Sequence, residues 1–351
     1  MSESAFPSSD VDAPEAVESY YLETMEGLFF AVKGQEHPPD RWISVLRYVP
    51  DSDRGEREKN GSFYSRLYSF KEQERWIEEH CPQYRAYDPV FQTTLQSVPR
   101  SQVRNIHNPR QKLHELTQAT VRDGLEEDVV AFSGLLEKEA RVRASSLGIT
   151  GSVLIGMHAD HSDIDIVAFG EDSSRKIHQA LSRLLADPGC KELRRLDANG
   201  MKELYAQRIV DSKMEYSEFV HLERRKVNQG TFRGRPYFIR FIKEPSGEPA
   251  YGQCRYSPKG RERIQATVAG DLEGIFTPCR YGLAGAQTLG GMPLPEMDEI
   301  VSFRGRFCEQ ARIGDHILAT GTLEQVQDSQ GVIHYRLLLG NSREDTMVVR
   351  K

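Results

Sequence analysis

Two carboxylates one residue apart, Asp163 and Asp165, stand in an apolar run, Asp163 twelve residues after Gly151 of a Gly151-Ser152 pair. The stretch reads GSVLIGMHADHSDIDIVAFG from Gly151 to Gly170. On a β-strand, positions i and i+2 share a face, so Ile164 and Ile166 take the opposite one. Paired carboxylates repel each other unless a cation lies between them. Hard oxygen ligands suit Mg²⁺ or Mn²⁺. A Gly-Ser at the opening of a new element lets backbone approach a phosphate and offers it free N–H groups. Metal together with polyphosphate is the chemistry of nucleotidyl transfer.

The Gly-Ser pair, a second glycine at Gly156 and the run Ser162-Asp163-Ile164-Asp165 resemble the signature of the DNA polymerase β-like nucleotidyltransferase superfamily, with matching spacing from about Thr150 to Gly170. Nearly the whole chain, including EGLFFAVKG, DPVFQTTLQSVP and IVSFRGRFCEQA, resembles an uncharacterised, mostly archaeal group of predicted nucleotidyltransferases with no established substrate. The resemblance implies that Asp163 and Asp165 are catalytic carboxylates holding Mg²⁺ (or Mn²⁺). One ion would hold the triphosphate of an NTP and the other would activate the attacking hydroxyl. It places Gly151, Ser152 and Ser162 at the nucleotide. It also calls for a third carboxylate on a neighbouring strand. The candidate strand, residues 237–243, has Arg240 inside and no acid, which leaves Glu244 at its end. Many members carry Ala-Arg before the second glycine. Leu154-Ile155 stand there in this chain, so a phosphate-facing arginine is missing and other basic groups must replace it.

Composition sets the frame. The 351 residues suit two or three domains. Charged residues at 28% and apolar ones at 38% are ordinary for a soluble globular chain. No apolar run approaches the ~20 residues that span a bilayer, and no secretory signal is visible. Five scattered cysteines do not form a disulfide framework, which points to a reducing cytoplasm. The net charge of −6 conceals an uneven distribution: residues 1–26 carry seven acids and no Lys or Arg, leaving the remainder at +1. Between Leu222 and Lys243 there are seven basic residues and one acid. Arg224, Arg225, Lys226, Arg233 and Arg235 of that stripe are candidate contacts to nucleic-acid phosphates.

The elements that must position these groups fall into parts. Residues 1–20 read as a disordered acidic tail. Residues 21–110 read as an α+β module, with strands at 27–34, 41–50, 62–70, 95–98 and 103–106 and a helix at 72–80. Residues 111–245 hold a helical zone broken near Asp123-Gly124, a short strand at 145–150, the carboxylate strand at 163–169, and a helix capped at Ser173 or Ser174. Further helices at 201–209 and 217–225 and the strand at 237–243 complete a nucleotidyltransferase core with a mixed sheet. Residues 250–351 show short β runs punctuated by glycine and proline and read as a small β-barrel.

Other groups compete for attention. His158 and His161 flank the aspartates in sequence and could touch phosphate or base, or be merely solvated. Cys254, Cys279, Cys308 and His316 could ligate zinc, although no CxxC pair is present. Phe303, Arg304, Arg306 and Phe307 interleave aromatics with arginines, which suits either single-stranded nucleic acid or an ordinary half-buried strand. The expected activity is transfer of a nucleoside monophosphate to a hydroxyl, with a nucleic-acid 3′ end favoured as acceptor over a protein or small molecule. A catalytically inactive nucleotide- or RNA-binding protein and a plain scaffold are the alternatives.

Overall fold

The computed structural model describes residues 16–244, 250–289 and 297–350. It is an α+β chain built on three sheets.

The N-terminal module is an eight-stranded assembly spanning Tyr21–Thr24 to Val103–His107, with the helix Phe70–His80 against it. Along the strand Arg41–Pro50, Trp42, Ser44, Leu46 and Tyr48 are buried at every second position, as a half-covered strand requires. Ser69 and Glu72 cap the helix reciprocally. The end of the expected tail is packed: Ala16, Val17, Glu18, Ser19 and Tyr20 are all buried. Ala16, Val17 and Tyr20 join the apolar seam between this module and Val167, Phe169 and Ile242, so burial of that seam overrides the acidic composition around them. Residues 1–15 lie outside the described residues.

The central sheet runs in the order Leu193–Arg194, Gln229–Phe232, Arg235–Ile242, Ile164–Phe169, Leu147–Ile149. The carboxylate strand Ile164–Phe169 is parallel to Arg235–Ile242 and antiparallel to Leu147–Ile149. Its period-two pattern is fully used. Ile164, Ile166 and Ala168 pack with Val129, Phe132, Leu136, Ile177 and Leu181, while Val167 and Phe169 pack on the N-terminal module. Helices Pro109–Gln118 and Gly124–Ala140 break where expected, with Asp123 and Glu126 forming a capping box. The helix Glu171–Ala186 instead begins after Gly170. Ser174 lies inside it and donates its hydroxyl to the Ala168 carbonyl at 3.2 Å.

The C-terminal module is a closed five-stranded barrel: Cys254–Gly270, Cys279–Thr288, Met297–Ser302, Ile333–Leu339 and His316–Asp328, which pairs back onto the first. Thr346–Val349 extends His316–Asp328. Ile264, Val268, Tyr281, Ile300, Ile317 and Leu337 fill the interior. The strand expected at 300–307 stops at Ser302, and Gly305–Phe307 is a single 3₁₀ turn. Phe303, Arg304, Arg306 and Phe307 therefore do not alternate along a strand. Phe307 is core, because its ring completes the barrel's apolar filling. The barrel is docked on the central sheet through a bridge between Phe241 and Phe276 and the bond from Thr277 N–H to the Phe241 carbonyl at 2.8 Å. Among the described residues no helix is long and apolar enough to cross a membrane.

Candidate functional site

The site begins at a turn. The strand Leu147–Ile149 leads through Thr150 into the single helical turn Gly151–Leu154. Thr150 is pinned twice: its N–H donates to the Asp165 carbonyl at 2.8 Å, and its hydroxyl to the Ser19 carbonyl at 2.7 Å. Gly151 has φ +66°, and a Cβ there would collide with Asp165 Oδ2. Left-handed backbone and lack of space both demand glycine. The Gly-Ser and Asp-x-Asp elements are thus one packed unit. Ser152 is buried directly after the glycine. Gly156, also at φ +66°, closes the turn with a left-handed backbone.

Asp163 and Asp165 share the face of the central sheet that looks toward the N-terminal module, and both are half-buried. Asp165 pairs in register with Phe238, so Phe238 and Arg240 share its face on the adjacent strand. Burial, then the charge of Asp163, pushes the Asp165 carboxyl up to about 7, against the pull of Arg66, Arg240 and Arg47. Arg66 ends the strand Ser62–Arg66. Burial alone would lower its pKa, but Tyr48, Tyr21, Asp163 and Asp165 hold it above the ordinary value. Behind Arg240 sits Glu18, fully buried, 2.9 Å from Lys33 Nζ and 3.5 Å from Arg240, and accepting the Gly34 N–H at 2.7 Å.

Several expected site residues stand elsewhere. Glu244 is not brought to the aspartates. It lies six residues beyond Phe238, roughly 20 Å along a strand, where Arg110 pairs with it at 2.5 Å. Among the described residues no third carboxylate, His or Cys joins Asp163 and Asp165 with ligating atoms within 4.8 Å. Phe238 and Arg240 occupy the neighbouring strand where an acid was expected. The Ser162 hydroxyl is taken by Ala159 N–H at 3.0 Å and Arg57 Nη1 at 3.1 Å, which makes it a latch on the loop before Asp163. His158 pairs with Asp123 at 2.8 Å, and His161 is exposed.

The basic stripe is largely consumed by internal partners. Lys226 is buried against Glu223 at 2.7 Å and the Arg306 carbonyl at 2.6 Å. Arg225 pairs with Asp315 at 2.7 Å, and Arg233 with Glu192 at 2.7 Å. Arg235 meets Asp128 at 3.2 Å and donates to the Ser162 carbonyl at 3.2 Å. Arg224 is exposed. These residues tie the central module together and to the barrel, so they do not form a continuous phosphate-binding face. The cysteines do not converge on zinc: Cys279 and Cys308 are barrel-core neighbours. Cys254 and His316 pair with Asp328 and Thr267, at opposite ends of one long ladder.

The groups that sequence reasoning missed are Arg47 and Arg66. Arg47 shares one face of the strand Arg41–Pro50 with Arg41, Ile43 and Val45, a pattern that an ordinary amphipathic strand also gives. No spacing rule links it to Asp163 across more than a hundred residues.

Among curated proteins, the chain is similar to the uncharacterized protein MJ1086 of Methanocaldococcus jannaschii, with 30% identity over 332 residues, covering 92% of this chain and 95% of that protein. No family model matches the chain, and no solved structure matches it.

Proposed function

The chain belongs to the family of this archaeal protein, and we propose that it is a metal-dependent nucleotidyltransferase that moves a nucleoside monophosphate from an NTP to a hydroxyl acceptor. The observation that carries the reading is the packing of Gly151 against the Asp165 carboxylate, with Asp163 two residues away on the same face. Two hard oxygen donors whose repulsion a divalent cation would relieve fit Mg²⁺ or Mn²⁺. Such an ion, when bound, supplies charge neutralisation for phosphate oxygens and activation of a hydroxyl.

The chain's own residues do the rest. Thr150 ties the backbone of Asp165 to the turn, and Gly151 leaves the space that its carboxylate fills. Ser162, Arg57 and Arg235 hold the loop that delivers Asp163. Ile164 and Ile166, on the opposite face, anchor the strand in the core, so the pair is carried on a rigid element. A nucleic-acid 3′ end remains the favoured acceptor, with protein or small-molecule hydroxyls as alternatives. The test offers each α-labelled NTP, with Mg²⁺ or Mn²⁺, to total RNA, single-stranded DNA and protein. Asp163→Ala/Asp165→Ala serves as the blank. Label that depends on the intact pair supports the reading, and absence of label under every condition refutes it.

One observation favours a second reading. Phe238 and Arg240 stand where a third carboxylate was expected, which suits a protein that binds a nucleotide without turning it over. That reading expects saturable NTP binding and no labelled product in the same assay.

A further inference from the structure

We propose that Arg47, Arg66 and Arg240 form a polyphosphate subsite beside Asp163 and Asp165, with the N-terminal module supplying two of its three cations. This deepens the nucleotidyl-transfer reading and rests on it.

The turn after Gly151 cannot supply the missing cation itself. Leu154 and Ile155 are buried against Tyr21, Phe29, Tyr48 and Tyr64 of the N-terminal module. That sheet covers the face from which a turn-borne arginine would reach a phosphate, and it brings its own arginines. Tyr48 pairs in register with Arg66, and Leu67 N–H donates to the Arg47 carbonyl at 2.9 Å. Arg47 and Arg66 are therefore held on neighbouring strands. Arg240 approaches from the central sheet, two residues beyond the partner of Asp165.

These guanidiniums are short of partners. Among the described residues, neither Arg47 nor Arg66 has a carboxylate within 4.0 Å. The Arg66 guanidinium carbon lies over the Tyr68 ring at 4.9 Å and the Tyr48 ring at 6.0 Å, and its buried Nε has no hydrogen-bond partner. Stacking holds the plane of a guanidinium and leaves its edge donors available for a planar, bidentate grip on phosphate. Arg240 has the Thr277 hydroxyl at 3.4 Å and, as its one carboxylate among the described residues, Glu18 at 3.5 Å, which is already matched by Lys33 at 2.9 Å. Three guanidiniums thus face two carboxylates, an imbalance that an anion would correct. Tyr48, the register partner of Arg66, packs with Leu154 and Ile155 of the turn after Gly151, and Arg240 shares the face of Asp165 on the adjacent strand, so the arginines border the pair from two sides. The ligand class is a chain of linked phosphates, as in an NTP tail, rather than the isolated phosphates of a nucleic-acid backbone.

The test titrates the full chain with tripolyphosphate by calorimetry, without metal and then with Mn²⁺. A single-stranded RNA oligonucleotide with a 5′ hydroxyl is the second ligand. Wild type is expected to bind tripolyphosphate in the absence of metal. Arg66→Gln and Arg240→Gln are each expected to weaken it at least tenfold, with Arg66→Lys intermediate because it keeps charge and loses the fork. Lys176→Gln, on an outer helix, should match wild type. Arg47→Gln is the further variant should either of the others fail to fold by circular dichroism. Tripolyphosphate binding unchanged in the arginine variants, or RNA binding in preference to tripolyphosphate, overturns the subsite. The Asp163→Asn/Asp165→Asn variant separates the two claims. If it retains metal-free binding and loses the gain from Mn²⁺, both stand. If Mn²⁺ tightens binding equally without the aspartates, the metal reading fails while the arginine result is judged by itself.

Discussion

At the scale of single residues the site is held by two constraints that can be broken separately. Gly151 must be glycine because a Cβ would occupy the space of the Asp165 carboxylate. Gly151→Ala is expected to displace that carboxylate, lower thermal stability and abolish Mn²⁺ binding in calorimetry. Serine at Gly156, whose Cβ would meet only the Lys59 amine at 3.7 Å, bears the strain of left-handed backbone without touching the pair, and should retain Mn²⁺ binding. Asp165 gives a pH signature. Its carboxyl ionises near 3.8 when unfolded and is pushed up to about 7 when folded, by burial and by Asp163. The stability it confers is therefore complete below pH 3.8 and lost as pH rises through 7. Metal-free Asp165→Asn should gain melting temperature on wild type between pH 5 and 8. Added Mn²⁺ should erase that advantage, increasingly so at higher pH. Equal melting curves for the two proteins at pH 5 and 8 would show that Asp165 is not held protonated.

At the scale of elements, the helices and strands around the pair follow local rules, and the basic stripe does not do what its composition suggests. Lys226 ends in a buried pair with Glu223, each side chain almost wholly covered. Removing one member of such a pair costs about 3–5 kcal/mol, while replacing both by apolar groups is often neutral. Lys226→Ala should lower the urea midpoint sharply, and Glu223→Leu/Lys226→Met should recover most of it. If Lys226→Ala were silent, the pair would be exposed in solution. The carboxylate strand was readable in advance because period two forces Asp163 and Asp165 onto one face and Ile164 and Ile166 onto the other. Its neighbour is also legible as a strand, since residues 237–243 form an apolar run interrupted only by Arg240 before Lys243. Which face that neighbour offered was not readable, because register depends on pairing with a distant segment.

At the scale of the whole molecule, the N-terminal module and the barrel both pack on the central sheet. Barrel and central sheet are joined by Glu309, which accepts Val227 N–H at 2.8 Å and Asn228 N–H at 3.0 Å and lies 3.2 Å from His178. Glu309→Ala leaves two backbone donors without an acceptor, each costing about 1–3 kcal/mol. The barrel should then melt apart from the rest, and calorimetry should resolve two transitions where wild type shows fewer. A single unchanged transition would mean that the remaining ties, Phe241 to Phe276, Arg225 to Asp315 and Lys226 to the Arg306 carbonyl among them, hold the modules together without it. The Glu18, Lys33 and Arg240 cluster is the matching joint on the other side.

The sequence by itself determined the α+β class and the C-terminal barrel, which follow from period and turn chemistry that act over a few residues. That Gly151 belongs with Asp165 was carried by the resemblance of the motif rather than by any local rule. Tertiary structure alone decided that Glu18 is buried rather than in a solvated tail, that Glu244 is held by Arg110 far from the pair, and that the stripe from Arg224 to Arg235 is spent on internal contacts. It alone brought the strands that carry Arg47 and Arg66 against the turn after Gly151. Charge composition reports how many cations a segment carries, but only packing decides which of them are neutralised by acids from elsewhere and which are left without one.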